Sequence, residues 1–453
     1  MQIVPLLKRL LLFSTLFLSA CSMGGVQKDF AALADRDLGQ HQSWSQLDGG
    51  QQVTILGDLI HSAELEALVN EALAANPGLQ QTLLTLRIRQ AQYRQAGGDR
   101  LPEIDAGYAV GREKENDTKY KSSISISWEI DLWQKLSDNI QAAAKDVAEQ
   151  QAFYQSAQDT LSAEVMKSWL GLTTAHQNIT IEGRRLANLE KNEAFILQRY
   201  SSGLGTLEDL DSARSATASS KATLEGYREA IAQQERVLQT LLGRTVRTTI
   251  TIPEEYSTVL IPLVELPALT LRRRPDLKAA YLAIEAASLH SDVAYKDLLP
   301  SINLQVALED VATSAGAGLL TDPVWSLLAQ LTAPLFHGGR LRAAAEIAEL
   351  QTAQSYQVYR ETLIEAVREI EDAIGLEGAL TKQIRHIETA LTMAQNNLQH
   401  YQHSYRSGLA DILDLLTVQR QTYDLEVQLN NLIYERLANR INLGLALGLG
   451  VKQ

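Results

Sequence analysis

Ten prolines, six phenylalanines and one cysteine are spread over 453 residues. No apolar run reaches the ~18 residues that a membrane-crossing helix needs. One cysteine builds neither a disulfide framework nor a thiolate zinc site. Scarce proline leaves room for long unbroken helices, and the rest of the composition, 45% hydrophobic and 21% charged, suits helices rich in Ala, Leu, Gln and Glu. Clustered basic residues are missing as well. The formal charge is −13, and the best basic run, Arg272 to Arg274, sits just before Pro275 and Asp276, where it reads as helix-start chemistry. Nucleic acid is therefore not expected as a partner, because phosphate backbones are held by grouped Lys and Arg. No Walker-type loop, Gly-x-Ser-x-Gly elbow or Cys/His zinc set is present, so neither an enzyme nor a cofactor is expected. His400 and His403 are spaced to share a helix face, but with no third ligand beside them they read as solvated surface, and no metal is expected.

What is there begins with a separate leader. Lys8 and Arg9 precede the apolar run Leu10 to Leu18, too short to span a bilayer and placed like a secretory signal. It ends in Leu18-Ser19-Ala20-Cys21, which resembles the lipobox of bacterial lipoproteins, where cleavage precedes the cysteine and its thiol is acylated. Cys21 is thus the expected lipidation site. Ser22 follows it, where an Asp would resemble an inner-membrane retention signal, so the anchor points to the outer membrane. An acyl anchor combined with a protein barrel would hold the chain firmly there.

The mature chain is two copies of one unit. Asn76-Pro77-Gly78-Leu79 matches Arg274-Pro275-Asp276-Leu277, and Leu101-Pro102-Glu103-Ile104 matches Leu299-Pro300-Ser301-Ile302, both at an offset of 198. Farther on the offset is 205, where Tyr200-Ser201-Ser202-Gly203-Leu204 matches Tyr405-Arg406-Ser407-Gly408-Leu409, Asp209-Leu210 matches Asp414-Leu415, and Leu242-Gly243 matches Leu447-Gly448. Unrelated domains would not keep step in this way. The expected division is a signal peptide at 1–20, an acylated N-terminal segment at 21–60, a first repeat at 61–250 and a second at 251–453.

Each unit reads helix, strand, strand, long helix, turn, helix. From Ser123 to Trp133 apolar and polar residues alternate, with Ile124, Ile126, Trp128, Ile130 and Leu132 on one face and Ser123, Ser125, Ser127, Glu129 and Asp131 on the other. The partner strand sets Ile104, Ala106, Tyr108 and Val110 against Glu103, Asp105, Gly107 and Ala109. The second unit repeats this with Ile302, Leu304, Val306 and Leu308, and returns with Trp325, Leu327 and Leu331. A half-buried sheet of a soluble protein would alternate too. Strands of about 10 residues with Tyr and Trp on the apolar face, in a chain addressed to the outer membrane, favour a membrane barrel. Proline-free helices are expected from about Lys135 to Ser201 and from about Arg340 to Ser407, each ~100 Å long at 1.5 Å per residue. Leu161, Val165, Trp169 and Leu172, or Leu363, Val367, Ile370 and Ile374, give each only a narrow apolar stripe.

Four strands cannot close a barrel, and an open edge in lipid leaves unpaired backbone groups that cost several kcal/mol each. Copies must combine, and three would supply about twelve strands, enough to enclose water. The expected fold class is α+β: a homotrimer in which a long helical barrel continues a twelve-stranded β-barrel.

The lipobox, the duplication, the Leu-Pro strand starts and Pro334-Leu335-Phe336-His337-Gly338-Gly339-Arg340-Leu341 together resemble the outer membrane efflux proteins, the TolC-like family, in its lipoprotein branch serving RND pumps. The resemblance covers essentially all of the mature chain. It implies a homotrimer with an outer membrane β-barrel among the outer membrane lipids, a periplasmic α-barrel, and passive export of small compounds passed on by an inner membrane RND-type transporter and a periplasmic adaptor (membrane fusion) protein. In the first unit, Asp131-Leu132-Trp133-Gln134-Lys135 lacks the glycine that the family carries after the aromatic residue, so a different strand-to-helix bend is expected there. Two other readings stand beside it: a type I protein secretion channel on the same fold, and a structural periplasmic coiled-coil lipoprotein.

Functional residues are expected at the two turns far from the strands. Gly203 and Gly408 each end one long helix, and Thr206 or Asp411 would cap the next. Asp209 and Asp414 occupy equivalent places beyond them, beside Glu208, Asp211 and Asp411. First-turn acids are favoured at any helix start by a few tenths of a kcal/mol to ~1 kcal/mol, which accounts for part of the pattern. The remainder points to a cation-binding constriction ring that serves as the periplasmic gate. Similar family members carry an Asp at the position of Thr417 and an Arg at that of Arg420; Arg420 matches and Thr417 does not, so the acidic partner would have to be Asp414 or Asp209. Gly203, Leu204, Gly408 and Leu409 are the expected adaptor-docking residues.

Overall fold

The computed structural model describes residues 29–451 except 41, 42, 46, 48, 113, 115, 116, 247 and 316–319; the signal segment and Cys21 lie outside the described residues. After α1 (Phe30–Leu38), the first repeat runs α2 (Ala63–Ala75), α3 (Pro77–Gly98), β1 (Glu103–Gly111), β2 (Lys119–Ile130), α4 (Lys135–Ser201) and α5 (Leu207–Leu241). The second runs α6 (Pro267–Arg273), α7 (Pro275–Lys296), β3 (Ser301–Ala312), β4 (Val324–Thr332), α8 (Arg340–Arg406) and α9 (Ile412–Ala446). Matched helices have matched lengths: 22 residues for α3 and α7, 67 for α4 and α8, 35 for α5 and α9. Pro77 and Pro275 begin their helices because the first turn has no use for the amide proton that proline lacks.

The strands form one antiparallel sheet in the order β1-β2-β3-β4. Its register lines the apolar residues up across all four strands. Ala106 stands opposite Ile124 and Ile124 opposite Leu308, while Ile126 meets Ile104 and Val306. Trp325 meets Leu308 and Leu327 meets Val306. The alternate face carries Asp105 opposite Ser125 and Ser123 opposite Glu309, and Lys121 reaches diagonally to Glu309 at 2.8 Å. β1 and β4 are the two outer strands, and both are exposed along their whole length.

The sequence pattern carried β2 through to Trp133, but the strand starts earlier, at Lys119, and stops at Ile130. Pairing ends there because Ile130 faces Ile302 near the start of β3, and Pro300 beyond it has no amide proton to continue the ladder. Trp133 instead donates its indole N–H to the Pro300 carbonyl at 2.6 Å. The bend that follows keeps its form without glycine: Gln134 adopts φ +61° at the start of α4, as Gly339 adopts φ +83° at the start of α8. A side chain in that conformation costs ~1–2 kcal/mol. Asp131 contributes the other way, accepting the Leu136 and Ser137 amides at 2.9 Å each. The two units still differ at one position, since Gly338 has φ +58° while its counterpart Trp133 is not in the left-handed region.

Neither long helix can bury its apolar stripe alone, so the core is shared. α4 packs against α3, α5, α7 and α9, and α8 packs against α7 and α9. The largest apolar cluster lies at mid-shaft around Met166, Trp169, Leu172, Leu238 and Ile441. The linker of residues 249–266 and the segment before α2 cross the helices at this level. Gln51 pairs with Pro262, and the Leu260 amide donates to Leu59 O at 3.0 Å. Among the described residues no helix is long and apolar enough to cross a membrane.

Candidate functional site

Each long helix ends in the same turn. Gly203 (φ +70°) and Gly408 (φ +74°) take the left-handed conformation, the Leu204 amide closes on Arg199 O at 2.9 Å, and the Leu409 amide on Ser404 O at 2.8 Å. Nothing lies within 4 Å of where a Cβ would stand at either glycine, so backbone conformation and not crowding asks for glycine. The turns leave Leu204 69% and Leu409 83% exposed. Thr206 caps α5 and Asp411 caps α9, its carboxylate accepting the Leu413 amide at 3.4 Å.

A small apolar cluster holds the two tips side by side: Ile196, Leu210 and Ala213 from the first hairpin, Tyr405, Ile412 and Leu415 from the second. Arg199 crosses between them, its guanidinium 5.7 Å from the Tyr405 ring centre and its Nη2 donating to Leu204 O at 3.1 Å. Burial raises the pKa of the Tyr405 phenol, so the ring beneath the cation stays neutral. Sequence reasoning missed Arg199 and Tyr405, because the contact joins residues from different hairpins. Above them a run of polar pairs ties α4 to its neighbours: Asn188 to Tyr423, Asn192 to Gln419 at 3.1 Å, and the buried Glu182 to Ser220. The one signal for these was a set of Asn and Glu residues interrupting the apolar stripe.

The four gate residues do not form one cluster. Asp209 serves its own helix, its carboxylate accepting the Thr206 amide at 3.2 Å while the Thr206 hydroxyl accepts the Asp209 amide at 3.1 Å. Asp414 stands at the matching position on α9, exposed and without a hydrogen bond or ion pair among the described residues. Arg420 and Thr417 line a groove of about 800 Å³ between the hairpins, and the acids that share it are Glu208 and Asp211. Neither acid named from the sequence as Arg420's partner lines that groove. His400 and His403 are both exposed on α8, and no group of three or more potential ligands among the described residues could hold a metal ion.

The family model described as outer membrane efflux protein matches residues 68–244 and 266–449. The probable outer membrane lipoprotein SilC of Salmonella typhimurium is 26% identical over 406 residues, covering 85% of this chain and 86% of SilC. The outer membrane protein OprJ of Pseudomonas aeruginosa is 27% identical over 462 residues, covering 97% and 95%. The solved structure of the outer membrane protein VceC from Vibrio cholerae superposes with a TM-score of 0.77 at 24% identity, over 86% of this chain and 97% of that one, so the fold is shared.

Proposed function

The chain belongs to the outer membrane efflux protein family, and from that premise we propose that three copies form the exit duct of an efflux pump, passing small compounds from the periplasm to the exterior. It is an outer membrane efflux channel, with the sheet in the membrane and the long helices in the periplasm. The observation that carries the duct reading is the sheet: one apolar face continuous over β1 to β4, one polar face, and two bare outer strands. In hydrocarbon those edges must pair, and β1 of one copy with β4 of the next would close about twelve strands around water.

The helices continue that pore. Asp414, with Asp209, forms the narrow end, and Arg420 with Glu208 and Asp211 ties neighbouring hairpins in the closed state. The exposed turns at Gly203, Leu204, Gly408 and Leu409 dock a periplasmic adaptor, which connects the duct to an inner membrane RND-type transporter. An acylated Cys21 anchors the mature N-terminus in the same membrane. Purified protein should run as a heat-modifiable, trypsin-resistant trimer and conduct ions in planar bilayers. A water-soluble monomer without conductance after removal of its acyl groups would sink the reading.

A further inference from the structure

The duplication supplies an internal control for each helix seam. Gln234 Nε2 donates to Ser168 O at 3.1 Å where α5 meets α4, and Asn439 Nδ2 donates to Ala373 O at 2.8 Å where α9 meets α8, the same contact 205 residues on. One helical turn farther the seams diverge. In the first repeat Leu172 is fully buried in the apolar core, with Ile231 packed against it. At the corresponding positions the second repeat has Glu377 and Arg436. Glu377, its side chain 3% exposed, accepts at Oε1 from Arg436 Nε at 2.9 Å and from Arg440 Nε and Nη2 at 3.0 and 2.8 Å. Arg440 also donates Nη1 to the carbonyl of Val259 at 2.6 Å, a buried residue of the linker between the repeats.

Stability does not account for this cluster. A buried charged set is often matched or exceeded by apolar residues of similar volume, and the first repeat is apolar at two of the three positions, Leu172 and Ile231, with Glu235 at the place of Arg440. Glu377 Oε2 is, moreover, buried without a partner among the described residues. What the charged seam adds is geometric, since one crossing of α8, α9 and the linker satisfies all four donations, while an apolar seam tolerates small slips.

We propose that Glu377, Arg436 and Arg440 are a positioning pivot that fixes the crossing of α8 and α9 against the linker and thereby sets the resting width of the tip below. The proposal rests on the duct reading. Glu377 lies 31 residues above Gly408 on one continuous helix and its turn. At 1.5 Å per residue that is a lever of about 46 Å, so about 5° of play at the pivot carries the tip about 4 Å.

The test is single-channel recording of the full-length trimer in planar bilayers beside its heat-dissociation temperature, for wild type, Glu377→Gln, and Glu377→Leu with Arg436→Ile and Arg440→Met. The expected result is a conductance or open probability raised about twofold or more in the triple variant at an unchanged dissociation temperature. Unchanged conductance in the assembled triple variant overturns the proposal, and so does a gain that only follows lost heat stability. If the triple variant does not assemble, Glu377→Gln is read against the same two outcomes. A wild-type trimer that never conducts overturns the duct reading itself, a result distinct from a conducting trimer indifferent to these substitutions.

Discussion

Arg274 donates Nη1 to the carbonyl of Ala446, the last residue of α9, at 3.1 Å, and the first repeat makes the same closure when Asn76 Nδ2 donates to Leu241 O, the last residue of α5, at 2.9 Å. Both donors stand just before the proline that opens a helix. Both acceptors stand just before a left-handed turn, at Gly243 or Gly448, whose backbone presses on the preceding chain. Each repeat is thus tied end to beginning. Arg274, only 7% exposed, also pairs with Asp276 at 2.6 Å and Glu369 at 2.8 Å.

Arg274→Ala should therefore destabilise the protein by about 2–3 kcal/mol, below the usual cost of breaking a buried pair because Asp276 and Glu369 keep some solvent. Asn76→Ala should cost about 1–2 kcal/mol, since it loses a helix cap together with the closure. Heat dissociation of the trimer on a gel orders the two. Equal, negligible shifts would contradict the closure.

Asp159 makes stability depend on pH. Burial pushes its carboxyl from 3.8 up to about 6, although the Val451 amide donates to it at 2.9 Å. A folded pKa above the unfolded one means that the ionised group costs stability; the cost is absent below pH 3.8, grows through the interval up to about 6, and is complete above it. Asp159→Asn should thus stabilise by about 2–3 kcal/mol at pH 8 and leave stability unchanged at pH 3.5. Equal effects at both pH values would argue against a buried carboxylate.

The two faces of the sheet should respond oppositely to one charge. Ile124→Lys puts an ammonium on the apolar row and should cost about 2–4 kcal/mol if it sits near the bilayer centre, reducing the yield of assembled trimer. Ser125→Lys, one residue on, faces Asp105 and Ala307 and should assemble normally. Trypsin resistance of the outer membrane fraction reads both.

At the tip, Asp414→Ala should raise ion conductance with little change in stability, because the carboxylate bonds to nothing among the described residues. Asp209→Ala should add to conductance but also cost about 1 kcal/mol through its broken capping box. Planar bilayer recordings with parallel melts separate the two effects, and unchanged conductance in the double variant would remove the gate assignment.

Gly408→Ala and Gly203→Ala should each cost about 1–2 kcal/mol locally, since both turns need a left-handed residue. Faster hydrogen exchange confined to residues near the substituted turn is the expected readout. Protection lost along the whole shaft would show that the turns are not independent of it.

Much of the fold could be read one residue at a time. The long helices fall where proline is absent and begin and end at Pro, Gly, Thr and Asp signals that act within four or five residues, so α4 and α8 end within a residue of expectation. Alternation gave each strand its faces for the same local reason. The end of β2 was not legible, because the alternation runs on past Ile130 while pairing depends on Pro300, 170 residues away. At the tip the glycines and caps were legible and the contacts of Arg199 and Arg420 were not.

The amino-acid sequence by itself determined the duplication, the two periodicities and the turns, because each is a property of neighbours along the chain. Only the tertiary structure decided that Asp209 caps its own helix, that Arg420 shares a groove with Glu208 and Asp211, and that Glu377 is buried beneath two arginines. The physical reason is range. Capping and side-chain alternation are settled within a few residues, whereas the partner of a charge is settled by whichever distant helix the apolar stripes bring beside it.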